Sequence, residues 1–212
     1  MADKIIALFV EGPTEIEFYK AVVNFIRKQN NAPFEYEFKW LDMKGIGNYK
    51  DDALRKFNNV KRAYPSASIF AMLCIDTDAF EFSRKPPIDK SRVKRALEKA
   101  GAAKVYYIEA KHSIEDWFLT DLAGVLTYLN LPRETRRPSG SGQSALKQLF
   151  YKANRVYVKG TRAEGLIAKL SIQKIMVEHC QQLNPLCKLL KIDCSVVCNK
   201  RNGLYDQDIS VK

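Results

Sequence analysis

Histidine is almost missing: His112 and His179 are the only two in 212 residues. A histidine-built metal site or a Ser-His-Asp triad therefore has few possible members. Long apolar runs are missing too. The stretches Ile5–Val10 and Ser68–Ile75 fall far short of the roughly 20 residues that cross a bilayer. No signal-peptide core follows Met-Ala-Asp-Lys, so the expected compartment is the cytoplasm. With only 10 Gly and 8 Pro, collagen-like or linker character is excluded, and 11% aromatic content excludes disorder. The five cysteines (Cys74, Cys180, Cys187, Cys194, Cys198) lack the paired C-x-x-C of a zinc ribbon and read as free thiols. Cys180 and Cys187 share one helical face, where cysteine acts as a small core residue. Gly45-Ile46-Gly47 and Ser139-Gly140-Ser141-Gly142 lack the G-K-[ST] ending of a nucleotide-cradling loop.

What the chain does have is apolar mass and positive charge. It is 46% hydrophobic and 28% charged, with 35 Lys+Arg against 24 Asp+Glu, a net of +11. That is enough for one domain with a real core, and the charge favours a polyanionic partner. The excess is concentrated. Residues 81–104 hold eight cations against three acids and residues 133–174 hold ten against two, leaving the rest of the chain at −2. One such segment is ordinarily a solvated helix face. Two beside clustered carboxylates point to a groove for phosphates, with Arg84, Lys85, Arg133, Arg136, Arg137 and Arg162 as candidate contacts.

The first two-thirds alternates strand and helix. Lys4–Val10 (KIIALFV) has the unbroken apolar character of a strand buried on both faces. Gly12-Pro13 opens a helix over 14–29, and 34–40 alternates aromatic and charged residues as a strand with one wet face. A helix over 50–63, a buried strand over 67–75, a basic helix over 89–100 and a strand over 103–110 follow. One long helix is expected over 113–130, then a loop over 132–143, then mostly helix. The expectation is an α/β fold of Rossmann-like kind, a parallel sheet flanked by helices, with a core over 1–130 and a helical, basic extension over 131–212.

Ligands gather at the carboxyl ends of parallel strands, and three groups of acids fall there. Glu11 ends the first strand, with Glu15 four residues on; Asp76 and Asp78 end the third; Glu115 and Asp116 follow the fourth. Each has a plainer reading. Thr14 with Glu17 fits a capping box, Asp76 and Asp78 fit Asx turns, and Glu115 and Asp116 fit a first helical turn capped by Ser113. None of these explains Glu11, an acid ending an apolar strand. Residues i and i+2 on extended chain point the same way, so Asp76 and Asp78 are expected to reach one cation. Acids converging from separate strands need a cation or a proton, and all-oxygen donors suit Mg²⁺ or Mn²⁺.

An apolar strand ending in Glu-Gly with a second Glu at i+4, then an apolar strand ending in Asp-x-Asp, resembles a TOPRIM domain. Glu11 matches that family's glutamate, Asp76 and Asp78 its Asp-x-Asp, and Glu15 the second glutamate of its nuclease branch, the proteins that overcome lysogenization defect. Ser113-Ile114-Glu115-Asp116-Trp117-Phe118-Leu119 and Tyr157-Val158-Lys159-Gly160 resemble stretches of small stand-alone TOPRIM proteins. Where the family often has a third acid soon after Asp-x-Asp, Ala79-Phe80 intervene before Glu81. The resemblance implies two-metal phosphodiester chemistry, with one cation activating a water and a second, about 3.5–4 Å away, stabilising the leaving oxygen. Glu11, Asp76 and Asp78 would hold one cation, and Glu15 and Glu115 would share in the second. Lys159 would stabilise charge developing at the phosphate.

The chain is too short for the extra domains of TOPRIM topoisomerases and primases. A nuclease acting on DNA or RNA, an endonuclease before an exonuclease, is the choice that survives. By analogy with the small stand-alone proteins, a separate ABC- or AAA-type ATPase is the expected partner, in a phage-defence or mobile-element module. Two other readings stay open: a non-catalytic nucleic-acid-binding or adaptor subunit, and an Asp-x-Asp glycosyltransferase, which leaves Glu11 and Glu15 unexplained. A haloacid-dehalogenase phosphatase is rejected, because its Asp-x-Asp follows the first strand.

Overall fold

The run KIIALFV offers no polar side chain after Lys4, so both of its faces need cover. It forms strand β1 (Lys4–Val10), buried from Ile5 onward, at the interior of the sheet. The computed structural model describes residues 3–29, 35–81, 83–158 and 163–192. After β1 come α1 (Pro13–Gln29), β2 (Tyr36–Asp42), α2 (Tyr49–Ala63), β3 (Ser68–Asp76), α3 (Asp78–Glu81), α4 (Lys90–Lys99) and β4 (Lys104–Ala110). Then follow α5 (Ile114–Phe118), α6 (Leu122–Leu129), α7 (Gly142–Lys152), α8 (Ala163–Ile167), α9 (Ile172–Glu178) and α10 (Cys180–Leu189). The fold is α/β, as the alternation predicts: four parallel strands in the order β2-β1-β3-β4, flanked by helices and followed by a helical C-terminal segment.

Successive residues of a strand face opposite ways, and β1 builds two cores from that rule. Ile6, Leu8 and Val10 pack with Phe18 and Val22 of α1 and with Trp117, Leu146, Leu166 and Ile175 of the later helices. Ile5, Ala7 and Phe9 pack with Phe57 of α2 and with Val93 and Leu97 of α4. The segment after residue 131 thus shares its core with α1 and one sheet face. Strand β2 is an edge strand, half-buried throughout, with Phe38 and Trp40 stacked on one face. Among the described residues, no helix is long and apolar enough to cross a membrane.

The expected single helix over 113–130 is not continuous. A 3-10 turn, Leu119–Asp121, separates α5 from α6. The cause is Asp121, a buried acid whose Oδ2 accepts the Ser171 N–H at 2.8 Å and whose Oδ1 lies 3.5 Å from Lys174 Nζ. Its backbone (φ −106°, ψ 65°) leaves the helical region to make those bonds. The final helix starts earlier than its apolar pattern implies, because Pro185 lies inside α10 and masks it in the sequence.

Sheet order fixes where a site can form. Strand β1 connects to β2 on one side, while β3 lies on its other side, so the order reverses between β1 and β3. Their ladder stops at Phe9↔Leu73, whereas β1–β2 runs to Val10↔Asp42 and β3–β4 to Asp76↔Ala110. The two central strands part at their carboxyl ends, the crevice where open parallel sheets bind ligands.

Candidate metal centre

Side chains span that parting. The buried Tyr49 hydroxyl lies 2.6 Å from the Cys74 carbonyl and 3.0 Å from the Phe9 carbonyl, donating to the ends of both strands. Two residues further along the chain on each side, Glu11 Oε1 accepts the Asp76 N–H at 2.9 Å. Glu15 Oε2 accepts the Glu11 N–H at 2.7 Å, and Asp76 Oδ1 accepts the Ile114 N–H at 3.0 Å. These bonds tie the starts of α1 and α5 to the ends of β1 and β3. Each acid therefore holds backbone as well as charge.

Glu11, Glu15 and Asp76 each bring a carboxylate oxygen within 4.8 Å of the others, and Glu15 and Asp76 are 2% and 4% exposed. At an effective dielectric of 20, two unit charges at that separation repel by roughly 3.5 kcal/mol. Three ionised acids would accumulate about 10 kcal/mol of mutual repulsion, so positive charge or a proton close to the trio is stabilising. The cluster can bind a metal ion, and its oxygen-only donors fit a hard divalent cation.

Surrounding groups register the same negative charge. Burial, then Glu15 and Cys74, and more weakly Glu11 and Asp76, push the Tyr49 phenol well above its ordinary value. The Cys74 thiol is pushed up by burial and next by Glu15. Tyr157 is raised by burial, then by Glu115, Asp76 and Glu15. All are held neutral around the acids.

The predicted capping box is displaced. Helix α1 starts at Pro13, so Gly12 takes the cap position and its carbonyl accepts the Glu15 and Ile16 N–H groups. It is Glu15 that reaches back along the chain, not Glu17, which pairs with Lys20 at 2.9 Å. Capping and membership of the trio are thus one geometry. Asp78 departs from expectation in another way. The i, i+2 rule needs extended chain, but β3 ends at Asp76 and Asp78 begins α3. Its Oδ1 accepts the Ala79 N–H, and it is outside the trio. The loop is held by Thr77 N–H to Ala110 O, Asp78 N–H to His112 O, and His112 N–H to the Thr77 hydroxyl.

Glu115 is 1% exposed and accepts the Tyr157 hydroxyl at 2.9 Å. It adjoins the trio through Tyr157 but is not a member of it. The sequence signal for Tyr157 was present in Tyr-x-Lys, yet there the weight falls on Lys159. Lys159 and Arg162 lie outside the described residues, as do Cys194 and Cys198. Tyr49 had no sequence signal, because nothing local marks a helix-start tyrosine as a tie between two strands.

Among the basic candidates, Arg84, Lys85, Arg133, Arg136 and Arg137 are exposed. Arg137 is not simply a solvated cation: its guanidinium donates to Asp116 Oδ1 at 2.8 Å, and the Ser113 hydroxyl donates to Asp116 Oδ2 at 2.9 Å. Gly142, the first residue of α7, presses against the same place; a Cβ there would lie 2.4 Å from Asp116 N. The basic loop is thus anchored one residue from Glu115, beside the carboxylates. No family model, curated protein or solved structure matches this chain.

Proposed function

We propose that the protein is a metal-dependent nuclease of TOPRIM type, hydrolysing phosphodiester bonds in DNA or RNA. The observation that carries this reading is the meeting of Glu11, Glu15 and Asp76 at the strand-order reversal, with a basic loop anchored beside them. In this reading the trio holds Mg²⁺ or Mn²⁺. A divalent cation there would lower the pKa of an attacking water and stabilise charge on the leaving oxygen. The chain's own residues do the rest. Glu11 and Asp76, each fixed by a main-chain bond, would hold the cation in place for the reacting phosphate; Tyr157 keeps Glu115 oriented; Arg133 and Arg136 grip flanking phosphates and set the register of the strand. Lys159 supplies positive charge at the phosphate, and Asp78 is left to a second cation. An ATPase partner, a role in a defence or mobile-element module, and a cytoplasmic location complete the proposal.

Two measurements test it together. Calorimetry with Mn²⁺ should give binding to the wild type that disappears in Asp76→Asn. A nicking assay on plasmid and on RNA, with a candidate ATPase added if the protein is silent alone, should give cleavage dependent on Mn²⁺ and abolished by the same substitution. Retained Mn²⁺ affinity in a folded Asp76→Asn protein would sink the reading.

A further inference from the structure

Single exposed apolar side chains are ordinary on a protein surface, but here they are grouped. Among the described residues, the exposed large hydrophobics are Leu54, Tyr151, Val156 and Val158, so three of the four fall within eight residues. Tyr151 and Val156 are each 82% exposed. Helix α7 buries Ala145, Leu146, Leu149 and Phe150, and turns Lys147, Tyr151 and Lys152 outward. With Arg155, Val156 and Tyr157 these line a groove of about 650 Å³, a size that accommodates a nucleotide unit.

The chemistry of the lining selects its occupant. Three cations and no acid line the groove, and neither Lys147 nor Lys152 pairs with an acid among the described residues. A largely apolar groove edged by three cations, with an outward aromatic ring, fits a polyanion carrying flat, unstacked rings. Duplex bases are already stacked on one another, so only a single strand presents such faces. One wall of the groove is shared with the candidate centre, because Tyr157, which lines it, donates its hydroxyl to Glu115.

We propose that Tyr151 is a stacking platform for single-stranded nucleic acid, with Lys147 and Lys152 holding the adjoining phosphates. The proposal rests on the nuclease reading above for the strand's direction, towards Glu115, but not for its binding. Arg155 is less available than the two lysines: it donates to the Tyr128 carbonyl at 3.1 Å and lies over the Tyr128 ring. Its part is to hold Tyr128 and the end of α7 in place.

The test is binding without cleavage. Fluorescence anisotropy of labelled oligothymidylate and oligouridylate, roughly twelve nucleotides long to match the site sizes of single-strand binders, is followed in EDTA across a salt series. Tyr151→Ala should weaken binding about tenfold or more, the scale of losing one base–aromatic stack, with an unchanged salt slope. Tyr151→Phe should bind like the wild type. The double change Lys147→Ala, Lys152→Ala should instead reduce the salt slope by about 1.4, at roughly 0.7 per phosphate on single strands. The two oligonucleotides separate DNA from RNA as the preferred strand. Unchanged affinity in Tyr151→Ala overturns the platform, as does a duplex competitor that displaces the oligonucleotide better than a single strand. Since EDTA removes the metal, failure here leaves the carboxylate reading intact, and loss of that reading leaves this titration meaningful.

Discussion

Glu15 has two duties that pull in opposite directions. As an acceptor for the Glu11 N–H it stabilises the start of α1; as a buried charge beside Glu11 and Asp76 it destabilises the metal-free protein. Glutamine keeps an acceptor oxygen and removes the charge, so Glu15→Gln separates the two. The metal-free variant should unfold at a higher urea concentration than the wild type, by an amount equivalent to about 1–3 kcal/mol, because a metal-free trio that has already taken up a proton keeps only part of the repulsion that the substitution removes. The stabilisation by Mn²⁺, about 2.7 kcal/mol at a hundredfold excess over the dissociation constant, should be lost. A metal-free variant weaker than the wild type would mean that the carboxylate is there for capping alone. At this scale much of the site was legible: acids at the ends of apolar strands identify Glu11 and Asp76 from order alone. Asp78 misled, because its side chain's direction depends on whether the strand continues, and a two-residue spacing cannot tell where a strand ends.

Between elements, α7 fits closely against α5. Gly142 touches Asp116 backbone, and a Cβ at 2.4 Å from a main-chain nitrogen cannot be relieved by turning a side chain. Gly142→Ala should cost about 1–3 kcal/mol in urea unfolding and loosen the Arg137–Asp116 tie that anchors the basic loop. Gly47, around which a new Cβ meets nothing within 4 Å, is the control; Gly47→Ala should stay within about 0.5 kcal/mol of the wild type. Equal effects would mean that α7 can slide without loss. The sequence located α7 through its apolar spacing but gave no sign of this contact, since Ser139-Gly140-Ser141-Gly142 looks uniformly like loop. Likewise the break at Leu119–Asp121 depends on Ser171, fifty residues away from Asp121, and no local pattern reports so distant a partner.

For the molecule as a whole, the two-faced core has a consequence for alkaline stability. Tyr19 and Tyr49 are buried, and Tyr157 nearly so; all three phenols are held above their ordinary value of 10.0, chiefly by burial. Below pH 10 both folded and unfolded chains keep these protons, and stability is unaffected. Above it the unfolded chain releases protons that the folded chain retains, so stability falls as pH rises. Each group contributes up to about 1.4 kcal/mol per pH unit. Urea midpoints should therefore decline steeply above pH 10, and the phenolate absorbance of these residues should appear only with unfolding. Tyr157→Phe should make the decline shallower; an unaltered slope would mean that its phenol already ionises in the folded protein. The fold class was legible because apolar strands alternate with amphipathic helices. The sharing of one core by α1 and the last helices was not, since periodicity assigns each helix a buried face without naming what covers it.

The parting of β1 from β3 also dictates an order of events during synthesis. Glu11 and Asp76 are 65 positions apart, and among the described residues β1 has its ladder partners in β2 and β3. At about 5–20 residues per second, the ribosome needs on the order of 3–13 s to pass from one acid to the other. Until β3 arrives, at least one edge of KIIALFV is open to any strand it meets, including the same segment of a neighbouring nascent chain. The carboxylate trio cannot exist before β3 arrives, so a cation can reward only a chain whose central sheet is already paired.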